Sequence, residues 1–273
     1  MSDVVRHTGH RSRKRLFGAL NGLLAAFVLA FLIAPVLVVL PLSFSADRYL
    51  AFPITGLTTG WYAEFFGSER WLTALGNSVG IAVISTVLSV TLGSMAALGL
   101  SHPGLPGRRT IEFLLVAPMI LPAVIVGVGM YFVFAQLGLT STYPGLILAH
   151  TTLAVPFVVV AVGAAMAGFD RRLLWAAASL GAPPWMRFRR VTLPIILPGM
   201  FSGALFAFST SIDEVVVTLF IAGPGQRTLP REMFTATREQ LTPTLLAAAG
   251  LLMLIASLLL FASTWVSGSK RRG

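Results

Sequence analysis

The sequence predicts an all-α membrane protein with six transmembrane helices. Apolar residues make up 56% of its 273 residues and charged residues only 11%, whereas a soluble domain carries about a quarter charged residues. So few charges do not cover a water-soluble surface of this size. The apolar residues also occur in six long runs, which indicates several membrane crossings rather than one buried core.

Each apolar run is long enough to cross the hydrocarbon core, which needs about 20 helical residues. Backbone polar groups in lipid must be hydrogen-bonded within their own segment, so each run is predicted to be a helix. The first run exceeds the 7–15 residues (about two to four turns) of a signal-peptide core and lacks a clear cleavage site, so it is expected to remain as a span. The predicted spans are 16–42, 72–100, 111–136, 144–168, 195–221 and 245–266.

Prolines interrupt two of these predicted spans. Pro118 and Pro122 lie in the third span and Pro156 lies in the fourth, and each removes a helix hydrogen bond. Membrane helices tolerate such breaks where neighbouring helices or water satisfy the freed carbonyl groups. The prolines therefore indicate either kinks that serve packing or hinges that line a cavity.

The distribution of basic residues predicts the orientation. Fifteen of the 20 Lys and Arg residues lie in the two tails and in the second and fourth connections. By the positive-inside rule, both termini and the loop 168–194 face the cytoplasm, and the connections 43–71 and 222–243 face outward. The expected layout is a basic tail at 1–15, a six-helix transmembrane domain at 16–267 that includes the cytoplasmic loop, and a basic tail at 268–273.

The cytoplasmic loop contains the sequence WAAASLGAPPWMRFRRVTLP from position 175 to 194. Residues 173–180 are predicted to form a short helix that ends at Gly181, because Gly is common just after a helix C-terminus. The two prolines that follow suit the first turn of a second short helix. In that helix Trp185 and Phe188 are three residues apart and share a face. Such an exposed apolar face requires a partner, either lipid headgroups or a protein groove.

This loop resembles the cytoplasmic loop of ABC-importer permeases, in which Glu-Ala-Ala, three residues and Gly-Ala precede a helix with Phe and basic residues, then Leu-Pro and a further Pro. Trp175 stands where the family has Glu, so an ion pair from that acid is lost. The stretch STSIDEVVVTLFIAGPG, with Leu-Pro at 229–230, is similar to C-type permeases of spermidine/putrescine importers. The loop residues that match the pattern are Ala176, Ala177, Leu180, Gly181, Ala182, Phe188, Leu193, Pro194 and Pro198.

The resemblance implies a type I ABC-importer permease fold in a bacterial inner (plasma) membrane. It implies a second permease subunit, two cytoplasmic ATPase subunits that bind ATP and Mg, and an external solute-binding protein, with no cofactor in this chain. The connection 222–243 then either contacts the binding protein or only joins two helices. The loop would form a coupling helix seated in a cleft of the ATPase, unless it is only a basic, lipid-facing connection. The residues with the coupling role would be Gly181, Ala182, Trp185, Met186 and Phe188.

Two acids lie inside the fifth predicted span. Asp213 is roughly 20 Å along the helix from Gly199 at about 1.5 Å per residue, in the outer half of the membrane. An acid at the bilayer centre costs about 2.5–3.5 kcal/mol, so Asp213 and Glu214 are expected to face a cavity or a cation. The alternative is that they pair with Arg227, with His150 or with an arginine of the second permease. The predicted pathway residues are Phe206, Ser209, Thr210, Asp213 and Glu214.

A continuous helix would sort these residues onto two faces. Phe206, Ser209 and Asp213 would share one face, and Thr210 and Glu214 would share an adjacent face with Thr218. A carboxylate beside hydroxyls and aromatic rings suits a passing ammonium group, so we expect the face with Asp213 to meet the pathway. His150, inside the fourth span, is expected to form a hydrogen bond between helices.

No pattern in the sequence indicates catalysis, so the chain is not expected to be an enzyme. The motifs G-x-x-x-x-G-K-[ST] and H-E-x-x-H are absent, and there is no cysteine. The net charge of +10 is spread over the connections, so nucleic acid is not an expected partner. The expected function is that of a permease subunit for a small, cationic solute such as a polyamine. The alternatives are another small solute (an opine, a phosphonate or an amino-acid-like compound) and a self-sufficient ion channel or proton-coupled carrier.

Overall fold

The computed structural model describes residues 6–47, 53–102, 104–239 and 242–269. This part of the chain is helical, with one β-bridge between Ser45 and Leu57. The predicted tails at 1–15 and 268–273 lie partly outside the described residues. The helices are α1 (Arg6–Leu42), α2 (Gly60–Gly67), α3 (Glu69–Leu100), α4 (Arg108–Ile120), α5 (Ala123–Gln136), α6 (Tyr143–Ala167), α7 (Arg172–Ser179), α8 (Pro184–Arg187), α9 (Leu193–Ile212), α10 (Val216–Ile221), α11 (Leu229–Glu239) and α12 (Pro243–Ser269).

Four helical segments of the described chain are long and apolar enough to cross a bilayer: Leu20–Leu42, Glu69–Leu100, Tyr143–Ala167 and Pro184–Ile212. A fifth span results if α4 and α5 count as one bent span. The predicted sixth span corresponds to α12, which is apolar but shorter over Pro243–Leu259. The all-helical membrane class is therefore confirmed, whereas the count of six and the cytoplasmic position of both termini remain predictions.

The third predicted span is not one straight helix. α4 and α5 are separated by Leu121 and Pro122 and meet with a bend of 109°. Leu121 is extended, with φ −74° and ψ 144°, because the ring of a following proline disfavours the helical conformation of the residue before it. Pro118, by contrast, is accommodated inside α4. The break that the sequence indicates therefore occurs at Pro122.

A bundle of α3, α6 and α9 forms the centre of the molecule. Glycines bring these helices close together, since a Cβ atom added at Gly93 would lie 2.7 Å from the Cβ atom of Val158 on α6. One added at Gly199 would lie 2.8 Å from the carbonyl oxygen of Ala161. Close backbone approach of this kind holds membrane helices together, because lipid provides little hydrophobic drive for their association. The buried side chains around this contact are Ala97, Ala154, Val158, Val162, Ile196 and Ala207.

We expect Gly199→Ala to destabilise the protein and Gly129→Ala to leave its stability unchanged or slightly raised. Both glycines lie inside helices, but a Cβ atom at Gly129 would meet nothing within 4 Å, whereas one at Gly199 would meet three atoms within 3.1 Å. Overpacking costs about 1–3 kcal/mol, while alanine at an open helical site gains up to about 1 kcal/mol. Thermal unfolding of the detergent-purified protein measures the difference. Equal midpoints for the two variants would contradict the close packing of α6 and α9.

α1 lies at the edge of the bundle and packs mainly against α12. The most apolar 18 residues within Leu20–Leu42 include none that is buried within the chain. Large side chains such as Phe27 and Phe31 are exposed along it. A continuous apolar surface of this extent fits a bilayer or a neighbouring subunit.

The connection that follows α10 is held against the ends of other helices. The Asn77 side-chain amide donates to the carbonyl oxygens of Gly225 at 3.1 Å and Arg227 at 2.9 Å. In α11 the buried carboxylate of Glu232 forms ion pairs with Arg70 and, at 3.5 Å, with Arg227. The segment predicted to face outward is thus packed onto the start of α3.

Candidate functional site

The loop 168–194, which is predicted to face the cytoplasm, folds as two short helices on either side of Gly181. α7 matches the helix predicted at 173–180 and ends in a Schellman motif. In that motif the backbone N–H of Gly181 donates to the carbonyl oxygen of Ala178 at 2.9 Å, and that of Ala182 donates to Ala177 at 3.0 Å. Gly181 has φ +81°, a conformation that glycine adopts without steric cost. The predicted role of Gly181 in ending the helix is therefore confirmed.

α8 brings Trp185 and Phe188 together, as their spacing predicts. The two rings are stacked, with centroids 5.8 Å apart and planes 30° apart. Trp185 is 68% exposed and Met186 39% exposed. We call Trp185, Met186 and Phe188 the aromatic knob. Exposed apolar surface of this kind marks an interaction site more often than a solvated face.

The aromatic knob is joined directly to a long helix. α8 continues through a π-helical turn, Phe188–Thr192, into α9, so no flexible linker separates the knob from the bundle. On the other side of the loop, the Arg171 guanidinium donates to the carbonyl oxygen of Ser101 at the end of α3. A force on the knob would therefore reach α9 through continuous helix.

A cavity of about 400 Å³ lies under the loop, between the ends of α3 and α6 and the start of α7. Its lining is mostly apolar and includes Leu98, Met166, Leu174 and Phe188. Trp175, which stands where the resembled family has Glu, also lines this cavity and is 68% exposed. An indole ring thus replaces a carboxylate in the wall of a mostly apolar cavity.

The prediction of one continuous fifth helix over 195–221 is wrong. α9 ends at Ile212 and α10 begins at Val216, so Asp213 and Glu214 lie in the break between two helices. The helical face predicted to join Thr210, Glu214 and Thr218 is therefore interrupted. Breaks of this kind are tolerated at membrane depth only where other protein groups or water satisfy the backbone.

Glu214 helps to satisfy the backbone at this break. Its carboxylate accepts a hydrogen bond of 2.7 Å from the backbone N–H of Val217, in the first turn of α10. The first N–H groups of a helix have no partner within the helix, and an acidic side chain stabilises them both by hydrogen bonding and by charge. Glu214 thus caps α10 from within the chain.

Asp213 lies differently from Glu214. Its backbone N–H still donates to the carbonyl oxygen of Ser209 at 3.4 Å, so it stays in register with α9 and on the face of Ser209 and Phe206. Its side chain is exposed and forms no hydrogen bond or ion pair with any other residue that the structure describes. Phe206 is 58% exposed and stacks on Phe157, with ring centroids 6.2 Å apart. Asp213 and Phe206 are therefore available on one open face of the chain.

Arg227 and His150, the two residues of this chain that could pair with Asp213 or Glu214, both bind other groups. Arg227 pairs with Glu232. His150, which is 1% exposed, bonds through Nδ1 to the Ser211 hydroxyl at 2.8 Å and through Nε2 to the Thr218 hydroxyl at 3.0 Å. The predicted interhelical hydrogen bond of His150 is confirmed, and pairing of His150 or Arg227 with Asp213 is excluded in this conformation.

Sequence reasoning did not find the partners of His150. Ser85 on α3 hydrogen-bonds to Ser211 at 3.1 Å, and Ser211 bonds in turn to His150, so hydroxyls from separate apolar runs meet in the core. Such hydroxyls carry no signal in a single sequence, because Ser and Thr also bond to their own helix. The described residues contain no group of three or more His, Asp or Glu side chains that could hold a metal ion.

Comparison with known proteins adds an independent observation. Residues 89–272 match the family described as binding-protein-dependent transport system inner membrane component. The chain is 29% identical over 254 residues to the spermidine/putrescine transport system permease protein PotC of Escherichia coli strain K12, covering 93% of this chain and 96% of that protein. It is 34% identical over 230 residues to the putrescine transport system permease protein PotI of the same strain, covering 82% of each.

Among solved structures, a bacterial alginate ABC transporter in complex with an alginate pentasaccharide-bound periplasmic protein contains a similar chain. The TM-score is 0.69 at 18% identity, and the match covers 96% of both chains. At this identity the likeness concerns the fold, which is that of an ABC-transporter membrane subunit.

Proposed function

The chain belongs to the family of inner membrane components of binding-protein-dependent transport systems, and on that premise we propose that it forms one half of the pathway by which an ATP-driven importer takes up a small cationic solute such as a polyamine. Members of this family are permease components and not enzymes. The other half of the pathway would come from a second permease subunit. Two ATPase subunits on the cytoplasmic side would bind ATP and Mg, and an external binding protein would deliver the solute.

The observation that carries the choice of a cation is the open carboxylate of Asp213 at the end of α9. The C-terminal end of a helix carries a partial negative charge of about half an elementary charge, and Asp213 adds a full one at the same place. Discontinuous membrane helices present such ends to ions and substrates in other transporters. Phe206 on the same face offers a ring surface for cation–π attraction. The polyamine is favoured because the relatives named above are permeases of spermidine and putrescine transport systems.

In this proposal the aromatic knob is the contact with the ATPase. ATP-driven closure of the two ATPases would draw the knobs of the two permeases together. Because α8 runs into α9 through continuous helix, that movement would shift α9 and open the pathway toward the outside. The binding protein would release its solute there, and ATP hydrolysis would return the pathway to the inward-facing state.

The test is ATP hydrolysis by the complete transporter in reconstituted vesicles. The purified complex is assayed with its binding protein and one candidate solute at a time: putrescine, spermidine, an opine, a phosphonate or an amino acid. We expect ATP hydrolysis to rise severalfold with a polyamine and to stay at the basal rate with the others. Stimulation by another solute alone would contradict the choice of substrate. Uptake by this chain in vesicles without ATPase subunits would contradict the transporter class and favour a self-sufficient carrier.

A further inference from the structure

We propose that His150 is a positioning residue that holds α10 in a fixed orientation to α9 and so places Asp213 on the open face. Its two ring nitrogens bond to Ser211, the residue before the last of α9, and to Thr218 in α10. Within the described ranges, no other side chain hydrogen-bonds to side chains on both sides of this break. The geometric part of the inference stands on these contacts alone, whereas its consequence for transport rests on the proposed function.

The hydrogen bonds around His150 form one continuous series. In one tautomer of His150, the Thr218 hydroxyl donates to the carbonyl oxygen of Glu214 at 3.3 Å and accepts from the N–H at Nε2. With the proton on Nε2, Nδ1 of a neutral imidazole is an acceptor, and the Ser211 hydroxyl donates to it. Ser211 is then free to accept from Ser85, 3.1 Å away on α3. Every donor in this arrangement finds an acceptor, and the reverse direction is also complete because Ser85 Oγ lies 3.2 Å from the carbonyl oxygen of Ala82, so either tautomer of His150 joins the same groups.

This chain of hydrogen bonds links four helices at the point where the backbone ladder is interrupted. It starts on α3, crosses α9 and α6, and ends on the carbonyl group of Glu214. Glu214 in turn caps α10 through Val217. The segment that carries Asp213 is therefore held at both ends, at Ser211 and at Glu214. Loss of His150 would free α10 to change its angle to α9.

Two variants test the geometry by hydrogen exchange of the α10 amides in the purified transporter. His150→Ala removes both contacts, and Thr218→Val removes the hydroxyl while keeping the side-chain shape. The matched control is Ser89→Ala, which removes another buried contact of α3 with α6, from Ser89 Oγ to the carbonyl oxygen of Thr151 at 3.3 Å. We expect amides of 216–221 to exchange about tenfold faster in His150→Ala, the change expected when hydrogen bonds of ordinary strength are lost. Exchange equal to that of the control in both variants would overturn the proposal.

Transport kinetics separate positioning from a merely structural role. A structural defect lowers the amount of active transporter and hence the maximal rate, whereas a misplaced Asp213 raises the KM for putrescine. We expect a KM about tenfold higher in Thr218→Val and in His150→Ala. His150→Gln, whose amide reaches the Nε2 position, should restore part of the loss, since it keeps the contact with Thr218. Unchanged KM in Thr218→Val, despite normal uptake by the wild type, would overturn the positioning role. Failure of the wild type itself to take up putrescine would instead overturn the proposed substrate and leave the exchange result standing.

Discussion

Gly181→Asp is expected to abolish solute uptake while the protein remains in the membrane at its normal abundance. Gly181 has φ +81°, and a residue with a Cβ atom in the left-handed region costs about 1–3 kcal/mol. The new carboxylate would also lie next to the surface proposed to enter the ATPase. An unpaired charge buried at an interface costs about 2–5 kcal/mol. This corresponds to an affinity for the ATPase that is lower by roughly thirtyfold or more. Uptake of labelled solute, normalised to the membrane content of the chain, measures the effect.

Two controls separate the effect of the added charge from the effect of backbone strain at Gly181. Gly168→Asp adds the same carboxylate at a glycine that has φ −92° and no atom within 4 Å of an added Cβ, so it should retain most of the uptake. Gly181→Asn is neutral and tolerates positive φ better than most residues, so it should fall between the wild type and Gly181→Asp. Wild-type uptake by Gly181→Asp would show that the turn at Gly181 does not couple to the ATPase.

Asp213→Asn is expected to raise the KM for a cationic solute about tenfold or more, without lowering the abundance of the protein. The amide has nearly the same shape as the carboxylate, so packing is retained and only the charge is lost. A hydrogen bond to a charged group contributes about 1.5–3 kcal/mol. Because the side chain of Asp213 has no partner within the described chain, the substitution leaves no buried cation unpaired. Initial rates of putrescine uptake over a range of concentrations measure the change.

The matched control is Glu69→Gln. Glu69 is an exposed acid at the start of α3. Its substitution should leave the KM unchanged, because Glu69 lies outside the break between α9 and α10. If Asp213→Asn and Glu69→Gln give the same uptake kinetics as the wild type, Asp213 does not face the solute. The cation would then be recognised by the second permease or by the binding protein alone.

Local chemistry was enough to predict the helical membrane class and two of the turns. Apolar runs of sufficient length predict membrane helices whatever they pack against. Pro122 restricts the backbone of the residue before it, and Gly181 supplies the positive φ that ends α7. The pairing of Trp185 with Phe188 follows from helical spacing alone. These features depend on a few neighbouring residues, so a single sequence contains them.

The break at Asp213 was decided only by the tertiary structure. No proline or glycine lies between Ile212 and Val216, so the sequence there lacks the residues that most often interrupt a helix. α9 ends one residue after Ser211, and Ser211 hydrogen-bonds to His150 and Ser85, which come from two other spans. Hydroxyl and imidazole groups in apolar runs have many possible partners, and only the packed helices select among them. The sequence alone therefore determined where helices could form, and the contacts between them determined where one is interrupted and which acid is left open.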